Sequence, residues 1–137
     1  MKRPDIECIV VDGSCILADG TIEYKGIHYP IGKELFRKGP YENATNNIAE
    51  FLAVVSGMIY SVQHNMTLPV YSDSQTAIAW ARNGRHNSTL ARTDKNGHIF
   101  KLLDQAEEWL AENKGKVAVE KWLTKEWGEN PADFGRK

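Results

Sequence analysis

Between residues 47 and 64, Ile48, Leu52, Val55, Ile59 and Val62 recur at spacings of 4, 3, 4 and 3, the period of an amphipathic helix. An apolar run of strand length lies on either side: Cys8-Ile9-Val10-Val11, closed by Asp12, and Leu68-Pro69-Val70-Tyr71, ahead of Asp73. Runs that are apolar at nearly every position belong to strands covered on both faces, as in parallel sheets. A strand over 6–12, a helix over 47–64 and a strand over 67–73 therefore predict a right-handed crossover unit in an α/β sheet, with Pro69 tolerated near the start of its strand.

The remaining segments are expected to extend that sheet. After the Asp19-Gly20 turn, Thr21 to Tyr24 and Glu34 to Arg37 have the mixed polarity of an antiparallel meander, which Gly39-Pro40 is expected to stop. Ser74 to Arg82 reads as a short helix. Polarity rises over residues 83–97, a loop or a reduced basic protrusion, before Ile99, Leu102, Leu103, Ala106 and Leu110 restore helical spacing. Asn113-Lys114-Gly115 stops that helix, and Val117 to Leu123 reads as a further buried strand. Trp80, Trp109 and Trp122 fall at apolar positions and are assigned to the core, whereas Trp127, among charged residues and Gly128, has no assigned place.

The 137 residues fit one domain that buries about two thirds of its unfolded surface. Seventeen basic residues against 18 acidic ones give a net charge of −1, which argues against non-specific coating of DNA but allows a local basic surface. The two cysteines, Cys8 and Cys15, would sit roughly 20 Å apart along an extended chain, too far for a disulfide. The start, Met-Lys-Arg-Pro-Asp, lacks the apolar core of a signal peptide, and no apolar run approaches the ~20 residues of a membrane span. A monomeric cytoplasmic protein is expected.

Asp12, Glu50 and Asp73 stand where apolar strands end or the long helix begins. Taken singly, each has a plain structural explanation. Asp12-Gly13 makes a turn, Asp73-Ser74 caps a helix, and Asn47 to Glu50 imitates a capping box. Parallel placement of the three buried strands, however, brings Asp12 and Asp73 to one sheet edge, where neighbouring strands lie about 4.8 Å apart. Glu50, in the first turn of the crossover helix, would face the same crevice. Convergent carboxylates at the edge of a core call for a compensating hard cation. Ser14, Asn46, Asn47, Ser74 and Gln75 stand beside them in sequence as supporting polar groups.

Asp12-Gly13-Ser14-Cys15, Thr45-Asn46-Asn47-Ile48-Ala49-Glu50 and Tyr71-Ser72-Asp73-Ser74-Gln75, in this order and spacing, resemble type 1 ribonuclease H over nearly the whole chain. The resemblance implies an RNase H-like five-stranded mixed sheet, order 3-2-1-4-5, with an antiparallel β1-β2-β3 meander, parallel β4 and β5, and helices on both faces. It also implies endonucleolytic hydrolysis of the RNA strand of an RNA–DNA hybrid, using two Mg2+ ions, or Mn2+. A fourth carboxylate, Asp133 in Gly128-Glu129-Asn130-Pro131-Ala132-Asp133, joins the metal ligands on this basis. Asp12 would be shared by both ions, with Asp73 and Asp133 on the side of the attacking water. Glu50 would lie on the leaving-group side, near the ribose 2′-hydroxyl. Ser14, Cys15, Asn46 and Gln75 would contact the RNA strand, and Thr45 and Asn47 the DNA strand.

The chain departs from that pattern at three places. Trp122-Leu123-Thr124-Lys125-Glu126-Trp127-Gly128 has no histidine where many relatives carry one, and Lys125 or Glu126 would have to assume its role. Ile16 to Gly20 replaces a Gly- and Asn-rich stretch after the first aspartate. Four residues follow Asp133, too few for a closing helix, so residues 124–137 are expected to form a flexible catalytic segment. Two alternatives stand beside the main reading: a nuclease of the same fold acting on DNA, and a non-catalytic module that binds hybrids.

Overall fold

A computed structural model describes residues 7–16 and 18–134. The expectations for residues 1–6, for Leu17 and for 135–137 fall outside them. Along the chain run β1 (Cys8–Ile16), β2 (Thr21–Tyr29), β3 (Lys33–Tyr41), α1 (Asn46–Gln63), β4 (Val70–Ser72), α2 (Gln75–Asn83), α3 (Gly97–Glu112), β5 (Val119–Lys121) and α4 (Thr124–Trp127). One five-stranded sheet has the order β3-β2-β1-β4-β5. The first three strands are antiparallel, while β4 runs parallel to both β1 and β5, as expected.

Two boundaries differ from expectation in ways that shape the site. Asp12 does not close its strand, because β1 continues through Ile16 on pairing with β2 alone. What ends near Asp12 is the parallel ladder to β4, whose register pairs are Ile9 with Val70 and Val10 with Tyr71. Nor does Gly39-Pro40 stop the meander. β3 continues to Tyr41, with a register irregularity opposite Ile22 to Tyr24. An edge strand tolerates this, since a proline there leaves no ladder donor missing. The parallel strands β4 and β5 are shorter than their apolar runs, three residues each.

Odd positions of β1 face α1. Ile9 and Val11 belong to the main core with Ile48, Leu52, Val55, Ile99 and Leu103. Helix α1 is buried beyond its predicted stripe, at Phe51, Ala53, Val54 and Met58 as well, because α2 and α3 pack on the sides that the sheet leaves open. Gly57 permits the crossing, as a Cβ there would meet Val11 at 3.0 Å and Val70 at 3.2 Å. Even positions of β1 face the other side, where Cys8, Val10 and Trp122 form a second, smaller core under Tyr29, Tyr71 and Trp127. Trp127 thus finds its place as a lid, edge-on to Trp122 with ring centroids 5.1 Å apart. Trp80 and Trp122 are buried, and Trp109 packs against the main core. Cys8 and Cys15 are both free thiols, on opposite faces of β1.

Candidate metal centre

Gly13 determines how closely α1 can approach the sheet. A Cβ on it would lie 2.7 Å from the Ala49 carbonyl carbon and 2.8 Å from the Glu50 nitrogen, so only glycine lets the first turns of the helix rest on β1. The approach puts the Glu50 carboxylate within reach of the sheet, and the Gly13 N–H donates to Glu50 Oε1 at 2.7 Å. Glu50 makes no capping box. The N-cap is Thr45, whose hydroxyl accepts from the Ile48 N–H at 3.3 Å, leaving Glu50 one full turn further on. Likewise Ser74, not Asp73, caps α2, accepting from the Ala77 N–H at 3.1 Å. Both plain alternatives for these acids are therefore filled by a neighbouring hydroxyl.

Asp12, Glu50 and Asp73 each offer a carboxylate oxygen, and the three oxygens lie within 4.8 Å of one another. Asp12 is wholly buried, Glu50 is 4% exposed and Asp73 is half-buried. At such separations two charges repel by about 3 kcal/mol per pair even at an effective dielectric of 20, more than one hydrogen bond returns. The cluster responds by holding a proton. Burial first, then the charge of Asp12 and a hydrogen bond with it, and then Asp73, push Glu50 up to about 9, against a smaller opposing effect of the Gly13 N–H. A group of hard oxygen donors that resists full ionisation alone is well matched to a divalent cation.

The backbone around Asp73 is held independently. Lys121 Nζ donates to the Asp73 carbonyl oxygen at 2.6 Å, and the Trp122 N–H donates to the Ser72 carbonyl at 2.8 Å. Lys121, Leu123, Lys125 and Glu126 line a cleft of about 420 Å³ that opens beside Asp73. A somewhat larger cavity, about 490 Å³, lies between the ends of α2 and α3 and the start of β5, lined by Arg82, Lys114 and Glu120 and away from the carboxylates.

The other predicted residues divide by exposure. Asn46, Asn47 and Gln75 are exposed in the first turns of α1 and α2, on the helix ends that carry or adjoin the acids. Thr45 is half-buried and engaged as a cap. Ser14 is only 4% exposed, on the same face of β1 as Asp12, and Cys15 is half-buried against the main core. Asp133 is half-buried outside the group of three, in a segment fastened by Asn130. Asn130 is 4% exposed; its Nδ2 donates to the Val11 carbonyl at 2.9 Å and its Oδ1 accepts from the Ala132 N–H at 2.7 Å. The Asp133 N–H donates to the Asn130 carbonyl at 2.9 Å. Sequence reasoning passed over Asn130 and Lys121, although a short polar side chain three residues before an expected ligand is a recognisable turn signal.

Fold and site together define a mixed α/β domain bearing a buried acidic cluster at the edge of its sheet, in the manner of the metal-dependent nucleases. The RNase H family profile matches residues 5–123, and the chain belongs to the RNase H family. That match ends before Asp133. Among solved structures, the N-terminal RNase H domain of Rv2228c from Mycobacterium tuberculosis is similar at 22% identity and a TM-score of 0.51, over 90% of this chain and 87% of that one. The PFV RNase H domain gives 19% identity and a TM-score of 0.56, over 85% and 78%. LC11-RNase H1, isolated from compost by a metagenomic approach, gives 13% and 0.53, over 89% and 87%. At these identities the likeness is one of fold.

Proposed function

We propose that this chain is an endoribonuclease that hydrolyses the RNA strand of RNA–DNA hybrids with divalent metal, Mg2+ or Mn2+. The observation that carries the reading is the convergence of Asp12, Glu50 and Asp73, with three carboxylate oxygens within 4.8 Å of one another. Asp12, Glu50 and Asp73 would hold the ions, with Asp133 joining from the C-terminal segment. Two bound divalent cations would supply an activated water and charge stabilisation at the leaving 3′-oxygen. The chain's own contribution is positional. Gly13 and Lys121 fix Glu50 and Asp73 through bonds that engage neither acid's remaining oxygens. Exposed Asn46, Asn47 and Gln75 offer amide donors and acceptors at the helix ends flanking the acids, chemistry that suits sugar hydroxyls and minor-groove edges, with Ser14, Cys15 and Thr45 contributing main-chain groups.

No helix among the described residues is long and apolar enough to cross a membrane. The test is incubation with labelled RNA–DNA hybrid, duplex DNA and duplex RNA, each with Mg2+, Mn2+ or chelator. Metal-dependent loss of RNA from the hybrid alone is expected. Cleavage of duplex DNA would move the assignment to a DNA nuclease, and binding without cleavage would reduce it to a hybrid-binding module. Asp73→Asn should abolish cleavage while cooperative thermal unfolding is retained; unchanged hydrolysis by that variant would sink the assignment of the acids.

A further inference from the structure

Asp12, Lys25 and Arg37 are register partners across β1, β2 and β3, so their side chains share one face of the sheet, the face of the second core. The C-terminal segment lies on this face. Lys25 Nζ sits 4.7 Å from the centroid of the Phe134 ring and Arg37 Cζ 5.0 Å from it. Arg37 is itself steadied by Glu23 at 3.4 Å and Glu34 at 3.9 Å. On the other side of Asp133, Asn130 hangs from the Val11 carbonyl, and Ala132 is wholly buried. Asp133 is therefore the middle of a short span fixed at both ends, by a buried amide bonded to β1 and by an aromatic ring in contact with two cations on β2 and β3.

We propose that Phe134, with Lys25 and Arg37, is a positioning latch that presents Asp133 to the acidic cluster, and that Asn130 is its second point of attachment. This rests on the role assigned to Asp133 in the functional reading. Lys25 and Arg37 stand in line with Asp12 on this face of the sheet. Their charge is directed to the face of Phe134, whose ring quadrupole attracts cations. Each such contact at a part-exposed site shifts an equilibrium about 2- to 5-fold, so the pair together changes the docked fraction of the segment by roughly tenfold.

The latch is read first without metal or substrate, from the 1H–15N heteronuclear NOE of the Asp133 amide in chelator. Phe134→Leu, which keeps apolar bulk and loses the ring, should lower that NOE towards the values of a free tail. Phe134→Trp should keep it. A Lys25→Met, Arg37→Met double variant should match Phe134→Leu, and adding Phe134→Leu to it should change little more. In hybrid cleavage, Phe134→Leu should lose kcat by about tenfold with KM within about twofold, restored by Phe134→Trp. An Asp133 amide as ordered in Phe134→Leu as in the parent, or equal loss in the Leu and Trp variants, overturns the latch. If the parent proves unable to cleave hybrid while the amide pattern holds, the functional reading fails and the latch stands.

Discussion

At the residue scale, Gly13 and Glu50 illustrate how one contact serves both fold and site. Gly13→Ala would drive a methyl group into the Ala49 backbone, and overpacking of this kind costs about 1–3 kcal/mol. It should also separate Glu50 from the Gly13 N–H, so activity should fall more steeply than thermal stability; a variant that loses stability alone would show that the contact is structural only. Glu50 makes a second prediction, for the metal-free protein. Its folded-state pKa is raised, so between the ordinary carboxylate range and about 9 the native state binds more protons than the unfolded one. Stability must then fall as pH rises through that window. Glu50→Gln, which needs no ionisation, should be more stable than the parent at pH 8 in chelator, by on the order of 2 kcal/mol, with the gap closing near pH 4. Urea unfolding at the two pH values measures this, and a gap that widens on acidification would refute it.

At the scale of elements, the segment between α2 and α3 is without helix or strand from Gly84 to Asn96, as a loop would be. Its backbone is nevertheless clipped, to itself and to the body. Asn96 is 2% exposed, accepting from the Thr93 N–H at 2.8 Å and donating to the Ala91 carbonyl at 2.9 Å. Asn43 donates to the Lys95 carbonyl at 3.2 Å, and the Arg92 guanidinium lies 4.5 Å from the Phe100 ring centroid. Asn96→Ala leaves two backbone groups without that partner and should destabilise by about 1–3 kcal/mol in thermal or urea unfolding. The same clip bears on hybrid affinity. With Arg92 turned towards Phe100 and Asp104, removing its charge should alter the salt dependence of hybrid binding very little, and a slope reduced by about one would restore the basic protrusion. Helix α1, by contrast, was legible to within two residues, because a long periodic stripe and a threonine cap leave little freedom.

For the molecule as a whole, what the sequence made legible follows from which signals are local. The crossover unit and the convergence of Asp12, Glu50 and Asp73 come from long apolar runs and from residues that flank them, whereas the sheet order was implied by the family resemblance. The extent of β1 past Asp12 was hidden because Gly13-Ser14 looks like a turn, whereas all nine of its residues have β2 partners that only tertiary packing supplies. The second core was hidden for the same reason: Trp127 and Asn130 pack on a sheet face whose other members, apart from Trp122, lie more than fifty residues earlier. The two faces of β1 make a chemical prediction. Burial pushes the Cys8 thiol up to about 12, and burial followed by the charge of Asp19 raises Cys15 as well. Thiol reagents at pH 8 should label the native protein slowly, Cys8 more slowly than Cys15, and rapidly only after unfolding.

The bond between Asn130 and Val11 joins positions 119 residues apart, yet once β5 has paired with β4 only about nine residues separate the docked sheet from Asn130. Closing so short a loop is inexpensive on a finished sheet and nearly impossible before it exists. Under the proposed role of Asp133, the order of folding then becomes a safeguard. A chain with an incomplete sheet would hold three carboxylates at most, and would leave RNA uncut until its last strand had found its place.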